Sequence, residues 1–197
     1  MPRVLGVIPA RGGSKRIPGK NLRELCGKPL IQYTIEAAES ATRLTNFVVS
    51  TEDQNIANVS IGLGAYVVKR PEELATDEAT SGAVLKHALK WMETDTDRYD
   101  MVVCLHPTSP IRDPKHIDQA IEMLWASDAP SLASVYCSKR HYGHNASIYA
   151  LKRDAVGADH YSDQSLPFLM DRRHSLDINE QDDLKIAELY LDGVNRI

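Results

Sequence analysis

Val4-Leu5-Gly6-Val7-Ile8-Pro9-Ala10-Arg11-Gly12-Gly13-Ser14-Lys15-Arg16-Ile17-Pro18-Gly19-Lys20-Asn21-Leu22 joins a short apolar run to a loop rich in glycine and cations. The run from Arg3 to Ile8, ended by Pro9, has the length and apolarity of a first strand buried on both faces. In the loop, Ala10 to Lys20, the consecutive glycines at 12 and 13 let successive backbone N–H groups converge on phosphate oxygens. Arg11, Lys15, Arg16 and Lys20 set four positive charges within ten positions of a chain whose net charge is -4. An anionic ligand therefore has to be held by this local cluster rather than by the field of the whole molecule. The loop is not a Walker motif, since five residues separate Gly13 from Gly19 and Asn21 follows the lysine. Nothing in it matches G-x-G-x-x-G. Its charge density and its place after the first strand favour phosphate binding over a basic surface turn.

Outward from this loop, strand and helix patterns alternate. Pro29 suits the first position of a helix with Ile31, Ile35 and Ala38 on one face. Asn46 to Thr51 reads as a second strand. Asp53 caps a helix through Ile56 and Ala57 that Gly62 or Gly64 stops. Ala65 to Lys69 is a third strand, and Thr80 or Ser81 opens a helix with Val84, Leu85, Ala88, Leu89 and Met92 at helical spacing. Met101 to Leu105, the most hydrophobic strand, runs into His106-Pro107-Thr108-Ser109-Pro110, which is not regular structure. Asp113 and Pro114 start a helix with Ile117, Ile121 and Leu124 inward. Leu132 to Tyr136 and Ala146 to Leu151 are later strands, and Asp182 to Leu191 is a last helix. This alternation predicts an α/β fold: a mostly parallel sheet with helices on both faces and ligands beyond the carboxyl ends of the strands. The loops after Ile8, Thr51 and Leu105 are where chemistry is expected.

The chain of 197 residues suits one domain, and 43% hydrophobic with 25% charged residues is a globular composition. Its acidic balance gives no case for nucleic acid. No apolar run approaches the roughly 20 residues that span a bilayer. The first strand begins too early for a secretory leader, and Cys26, Cys104 and Cys137 are an odd set without a disulfide pattern, so a reducing cytoplasm is expected.

Taken together, the motifs resemble one family. Pro9 to Leu22 is similar to the mononucleotide-binding loop of acylneuraminate cytidylyltransferases. Val49-Ser50-Thr51-Glu52-Asp53 with Ile56-Ala57 resembles that family's second strand and loop. Arg70-Pro71-Glu72-Glu73-Leu74-Ala75-Thr76-Asp77, followed by Thr80-Ser81, resembles its nucleotide-facing segment. Pro107-Thr108-Ser109-Pro110-Ile111-Arg112, Asn145-Ala146-Ser147-Ile148-Tyr149 and Arg173-His174-Ser175-Leu176-Asp177-Ile178-Asn179 complete the series in family order.

The resemblance implies a Rossmann-like three-layer fold with a mostly parallel mixed sheet, of the nucleotide-diphospho-sugar transferase type. It implies transfer of CMP from CTP to the C2 hydroxyl of a sialic-acid-like nonulosonate. A legionaminic, pseudaminic or eight-carbon keto-deoxy acid is an alternative acceptor, and a non-catalytic nucleotide- or sugar-binding relative is the reading from a different class. Arg11 and Lys20 are the implied catalytic cations on the CTP phosphates, supported by Lys15. Ala10, Gly12, Gly13, Asn21, Arg70 and Ser81 are the further implied nucleotide contacts. For Ser81 a helix cap, and for Arg70 a surface charge, are the competing readings. His106, Thr108 and Ser109 are the implied sugar contacts, and Asp177 and Asn179 the implied Mg2+ ligands, since residues two apart on an extended segment share a face.

Three departures stand out. His106 replaces the family's usual glutamine, and Asn179 replaces the second of two aspartates. Only Cys137 to His144 join Tyr136 to Asn145, where family members usually carry a few tens of residues that pack on a partner subunit and contact the sugar carboxylate. Either the member is shortened or the chain omits a stretch; a shortened excursion predicts a weaker or rearranged homodimer. Lys139 and Arg140 in this bridge either replace lost carboxylate contacts or are solvated. Cys137, His141 and His144 lack a fourth ligand at zinc spacing. No Ser-His-Asp or Cys-His nucleophile pattern occurs.

Overall fold

In the computed structural model, which describes residues 1–137, 142–157 and 162–193, the apolar first run owes its pattern to burial on both sides. The elements in chain order are β1 (Val4–Pro9), β2 (Glu24–Leu25), β3 (Lys28–Pro29), α1 (Leu30–Ser40), β4 (Asn46–Thr51), α2 (Gln54–Gly62) and β5 (Tyr66–Lys69). There follow α3 (Ser81–Met92), β6 (Met101–Leu105), α4 (Pro114–Trp125), β7 (Ser131–Cys137), β8 (Tyr142–Lys152), β9 (Leu166–Met170) and α5 (Gln181–Asp192). Val4 and Ile8 of β1 join the core beneath α1, α2 and α4, while Leu5 and Val7 join the core beneath α3. Strand β6 divides the same way: Met101, Val103 and Leu105 on the first face, Val102 and Cys104 on the second. With helices over both faces, no polar position interrupts either strand.

The seven-stranded sheet has the order β5-β4-β1-β6-β8-β7-β9. Only β8 runs antiparallel to its neighbours; β5, β4, β1 and β6 pair in parallel, as do β7 and β9. The mostly parallel mixed sheet and three layers are those expected. The chain leaves β1 toward β4 and β5, then returns to place β6 on the other side of β1. That reversal makes the β1–β6 boundary the topological switch point, where the loops after adjacent parallel strands part and leave a crevice. The loops at 10–22 and 106–112 flank it.

Side-chain caps fix three helix starts. Asp53 Oδ1 accepts from the N–H groups of Asn55 and Ile56, Thr80 Oγ1 from Ala83, and Asp113 Oδ1 from Lys115. The second and fourth expected strands, Asn46–Thr51 and Met101–Leu105, match residue for residue. Others shift by a few positions. Pro29 is the cap rather than the first helical residue, with ψ at 141°. Strand β8 begins at Tyr142, ahead of Ala146, because it keeps pairing with β7 as far as Cys137↔Tyr142. Two features were not expected. One is the β2–β3 hairpin, whose turn residues Cys26 and Gly27 both have positive φ (48° and 80°), as a two-residue turn of the I′ type requires. The other is β9, an edge strand that tolerates Pro167 because one side carries no ladder.

A third, smaller cluster matters most for the site. Ile17 of the glycine loop and Ile178 of the 176–179 segment are both fully buried against Leu25, Leu30, Leu184 and Ala187. Two loops far apart in sequence are thus pinned to one apolar seat under α5. Among the described residues, no helix is long and apolar enough to cross a membrane.

Candidate active site

The glycine loop is held from behind by polar contacts that leave its cations free to face the crevice. Ala10, fully buried, continues the ladder through its N–H to Ser50 O at 3.0 Å. Asn21 Nδ2 donates to Arg11 O at 2.9 Å, closing the loop on itself. The Gly12 N–H donates to Glu52 Oε1 at 2.7 Å, and a Cβ at residue 12 would collide with the Asp53 carboxylate. Gly12 is therefore glycine for close packing against the loop after β4, whereas a Cβ at Gly13 would meet open space. Glu52 in turn faces Arg70, with Nε 3.5 Å from Oε2.

A cleft of about 370 Å³ opens between this loop and the one after β6. Arg11, Ser14, Lys15, Arg16, Lys20 and Asn21 line one side; Asp77, His106, Pro107 and Thr108 line the other. Arg11 Nη1 and Lys15 Nζ both reach the Asp77 carboxylate, at 2.7 and 2.5 Å, and their hydrogen bonds hold its pKa below the usual carboxylate value. Lys20 is deeper. Its Nζ donates to Ile178 O at 2.8 Å, and burial pulls its pKa down, opposed by the charge of Asp177 and reinforced by Arg16 and Arg11. Arg16 Nη2 donates to Asn179 Oδ1 at 3.2 Å.

The opposite wall is rigid because Arg112 braces it. This fully desolvated guanidinium donates from Nη2 to His106 O at 2.8 Å and from Nε to Ser147 O at 3.0 Å, with Thr34 Oγ1 3.4 Å from Nη1. Burial lowers its pKa to about 10, which still leaves it charged at neutral pH. Arg112→Ala should cost about 2 to 3 kcal/mol of stability, since buried carbonyls lose a charged donor; urea unfolding measures it, and an unchanged midpoint would refute the bracing role. His106 is half-buried, its Nε2 3.5 Å from Cys104 Sγ and its ring edge-on to Tyr149. Burial pushes the Cys104 thiol up to about 12, which keeps it a neutral core group.

The Ile178 N–H donates to Thr108 O at 2.8 Å, so the 177–179 segment runs alongside the β6 loop. Asp177 and Asn179 do share a face: Asn179 Nδ2 donates to Asp177 Oδ2 at 2.8 Å. Asp177 Oδ1 is buried and has no hydrogen-bond partner among the described residues. Asp183 Oδ2 accepts from the N–H groups of Asn179 and Glu180, tying the segment to the start of α5. Beyond it lies a second cavity of about 410 Å³, lined by Tyr136, His144, Asn145, Arg172, Ser175, Asp177, Asn179 and Tyr190 among others. Lys20 and Arg16, from the first cleft, bind the backbone and side chain of the wall that lines the second.

Most of the expected site residues converge here, and some do not. Arg11, Lys15, Lys20, Asn21, His106 and Thr108 line the first cleft, and Asp177 and Asn179 the second cavity. Arg70 lines neither. It is buried, and its Nη2 donates to Ser50 O at 2.7 Å, one step behind the loop, so it is not a surface charge. Ser81 is the first residue of α3 with Thr80 as its cap, and it too lies outside both linings. Ser109 is buried, its hydroxyl without a partner among the described residues. Asp77 and Glu52 belong to quoted motifs, yet nothing in the sequence set them opposite the glycine loop. Lys139, Arg140 and His141 lie outside the described residues. Among the described residues no group of three or more His, Cys, Asp and Glu is arranged to hold a metal.

A family model described as Cytidylyltransferase matches residues 5–191. The chain is 33% identical over 227 aligned positions to an N-acylneuraminate cytidylyltransferase of Escherichia coli O18:K1:H7 (strain RS218 / NMEC), covering 98% of this chain and 53% of that protein. It is 34% identical over 225 positions to a CMP-N,N'-diacetyllegionaminic acid synthase of Legionella pneumophila subsp. pneumophila (strain Philadelphia 1), covering 96% of this chain and 97% of the relative. The chain thus spans about half the length of the first relative and nearly all of the second. Both alignments are longer than the 197 residues of the chain, so these relatives carry at least 30 (227 against 197) and 28 (225 against 197) positions without a counterpart here. In fold, the chain is similar to a solved CMP-2-keto-3-deoxy-manno-octonic acid synthetase complexed with CTP, with TM-score 0.78, 17% identity and 98% and 99% of the two chains covered.

Proposed function

The chain belongs to the cytidylyltransferase family, and we propose that it transfers CMP from CTP to the C2 hydroxyl of a sialic-acid-like nonulosonate, releasing pyrophosphate. The observation that carries this reading is the pairing of two adjacent cavities. One is lined by cations suited to a triphosphate, the other largely by neutral polar groups suited to a sugar. Lys20 and Arg16 tie the first to the 177–179 wall of the second.

In this reading the C2 hydroxyl oxygen attacks the α-phosphorus, the bond to the β-phosphate oxygen breaks, and the hydroxyl proton passes to solvent. Negative charge grows on the equatorial and leaving oxygens. Arg11, Lys15 and Lys20, held in place beforehand, stabilise that charge more than the ground state. Nucleotidyltransferases generally use a divalent metal; Mg2+ is the ion proposed here. The residues fit a hard cation, since Asp177 offers a buried carboxylate oxygen with no hydrogen-bond partner among the described residues and Asn179 an amide oxygen beside it. When bound there, Mg2+ supplies charge neutralisation at the phosphate oxygens.

Pyrophosphate release from CTP across a panel of sialic, legionaminic, pseudaminic and eight-carbon keto-deoxy acids tests the function. Release with none of them, despite CTP binding, would favour the non-catalytic relative. Asp77 occupies the place a phosphate oxygen would take between Arg11 and Lys15, so CTP has to displace it. Asp77→Asn should lower the KM for CTP a few-fold; a raised KM would mean that Asp77 holds the nucleotide instead.

The single domain of residues 1–197 is proposed to be a cytoplasmic, shortened member. The positions missing against the relatives are assigned to the short link between the paired β7 and β8 ends, Cys137 and Tyr142. With it shortened, a weaker or rearranged homodimer is expected, and light scattering at micromolar concentration measures it. A tight dimer would show that the link was not what held relatives together.

A further inference from the structure

The second cavity poses a charge problem for the substrate proposed above. Asp177 places a carboxylate in its wall, and an acidic sugar brings another. Arg172 is the only Arg or Lys lining that cavity among the described residues, and it makes no hydrogen bond or ion pair to any described residue. Its neighbours are all committed. Asp171 Oδ1 accepts from the N–H groups of Arg173 and His174, and Ser175 Oγ donates to Asp171 O at 2.6 Å. Arg173 Nη2 donates to Tyr190 O at 2.6 Å. Asn145, buried and itself lining the cavity, donates from Nδ2 to Ser175 Oγ at 2.9 Å, fastening the turn to the sheet. The turn is rigid, and Arg172 is the side chain it leaves uncommitted at the cavity wall.

We propose that Arg172 pairs with the carboxylate of the acidic acceptor and so sets the preference for acids over neutral sugars. The proposal rests on the acceptor reading above. A guanidinium matches a carboxylate through two parallel N–H···O bonds, which an amide or ester cannot reproduce. In the absence of Mg2+, pairing at Arg172 also offsets the repulsion from Asp177, which a neutral acceptor would not encounter.

The test reads binding without turnover, so it stands apart from the transferase assay. Titration calorimetry with N-acetylneuraminate and 2-keto-3-deoxy-manno-octonate, each beside its primary amide, is run on wild type, Arg172→Ala, Arg172→Lys and Lys139→Ala/Arg140→Ala. Wild type should bind an acid about tenfold better than its amide, the worth of a charged hydrogen-bonded pair at a partly exposed site. Arg172→Ala should lose that preference while keeping wild-type CTP affinity, and Arg172→Lys should recover part of it. A preference that survives in Arg172→Ala overturns the assignment, as does its loss in Lys139→Ala/Arg140→Ala alone. Failure of wild type to bind either acid overturns it too. Acid binding through Arg172 without pyrophosphate release would leave this assignment standing and sink the transferase reading instead.

Discussion

Lys20→Ala should lower kcat/KM for CTP by two to three orders of magnitude, about 3 to 4 kcal/mol of lost transition-state stabilisation. The ammonium does two things at once, and Arg16, which shares both, holds the same segment by a longer bond to a side chain. Lys20 lines the cation cleft, and its 2.8 Å bond to Ile178 O ties that cleft to the segment carrying Asp177 and Asn179. Partial burial lowers its pKa, which marks a charge that has given up solvent and interacts strongly with whatever anion enters. Arg11→Ala should cost less, about 2 kcal/mol, because Arg11 is already engaged by Asp77 and backed by Lys15 on the same carboxylate. Steady-state rates at varied CTP measure both variants, with thermal unfolding as the control for the lost Ile178 contact. Unchanged turnover in both would remove this loop from the chemistry.

Why the glycine loop was legible in the sequence, and parts of its surroundings were not, follows from the range of the interactions. β1 and β6 are buried on both faces, so each appears as an unbroken apolar run, and β4 shows by its apolar centre Phe47-Val48-Val49. Asp53, Thr80 and Asp113 cap their helices through contacts two or three residues away, which local sequence records. The order of those elements puts a switch point between β1 and β6, and so brings Lys20 to His106. Strand β9 is short, contains Pro167 and exposes Leu169 at 60%, so it has neither the alternation nor the bounding signals of a strand. Only its pairing with β7 makes it one. Arg70 could be read as a surface charge from its place before a proline, but it is buried and donates to Ser50 O, a contact twenty residues back that sequence spacing does not reveal. Asp77 between Arg11 and Lys15, and Arg112 beneath His106, are likewise products of tertiary placement.

Asp177→Ala should abolish measurable turnover or lower it by about three orders of magnitude, since it removes the one carboxylate from the proposed metal pair. The more telling variant is Asn179→Asp. At present Asn179 Nδ2 donates to Asp177 Oδ2 at 2.8 Å while its Oδ1 accepts from Arg16. An aspartate there loses the first bond and sets two carboxylates against each other, which costs stability unless a cation lies between them. A hard divalent ion gains more from a second charged oxygen than from an amide, so the magnesium requirement should fall. Two readouts follow from the same geometry. The thermal midpoint of Asn179→Asp should drop below wild type in chelator and rise with added magnesium more steeply than wild type does. In initial rates at saturating CTP and sugar, its magnesium midpoint should fall several-fold. If Asn179→Asp leaves both curves unmoved while Asp177→Ala shifts the rate curve, Asp177 holds the metal alone and Asn179 serves only to orient it. If neither variant responds to magnesium differently from wild type, the buried, unpartnered Asp177 Oδ1 is not a metal ligand and the segment's role is to anchor Lys20.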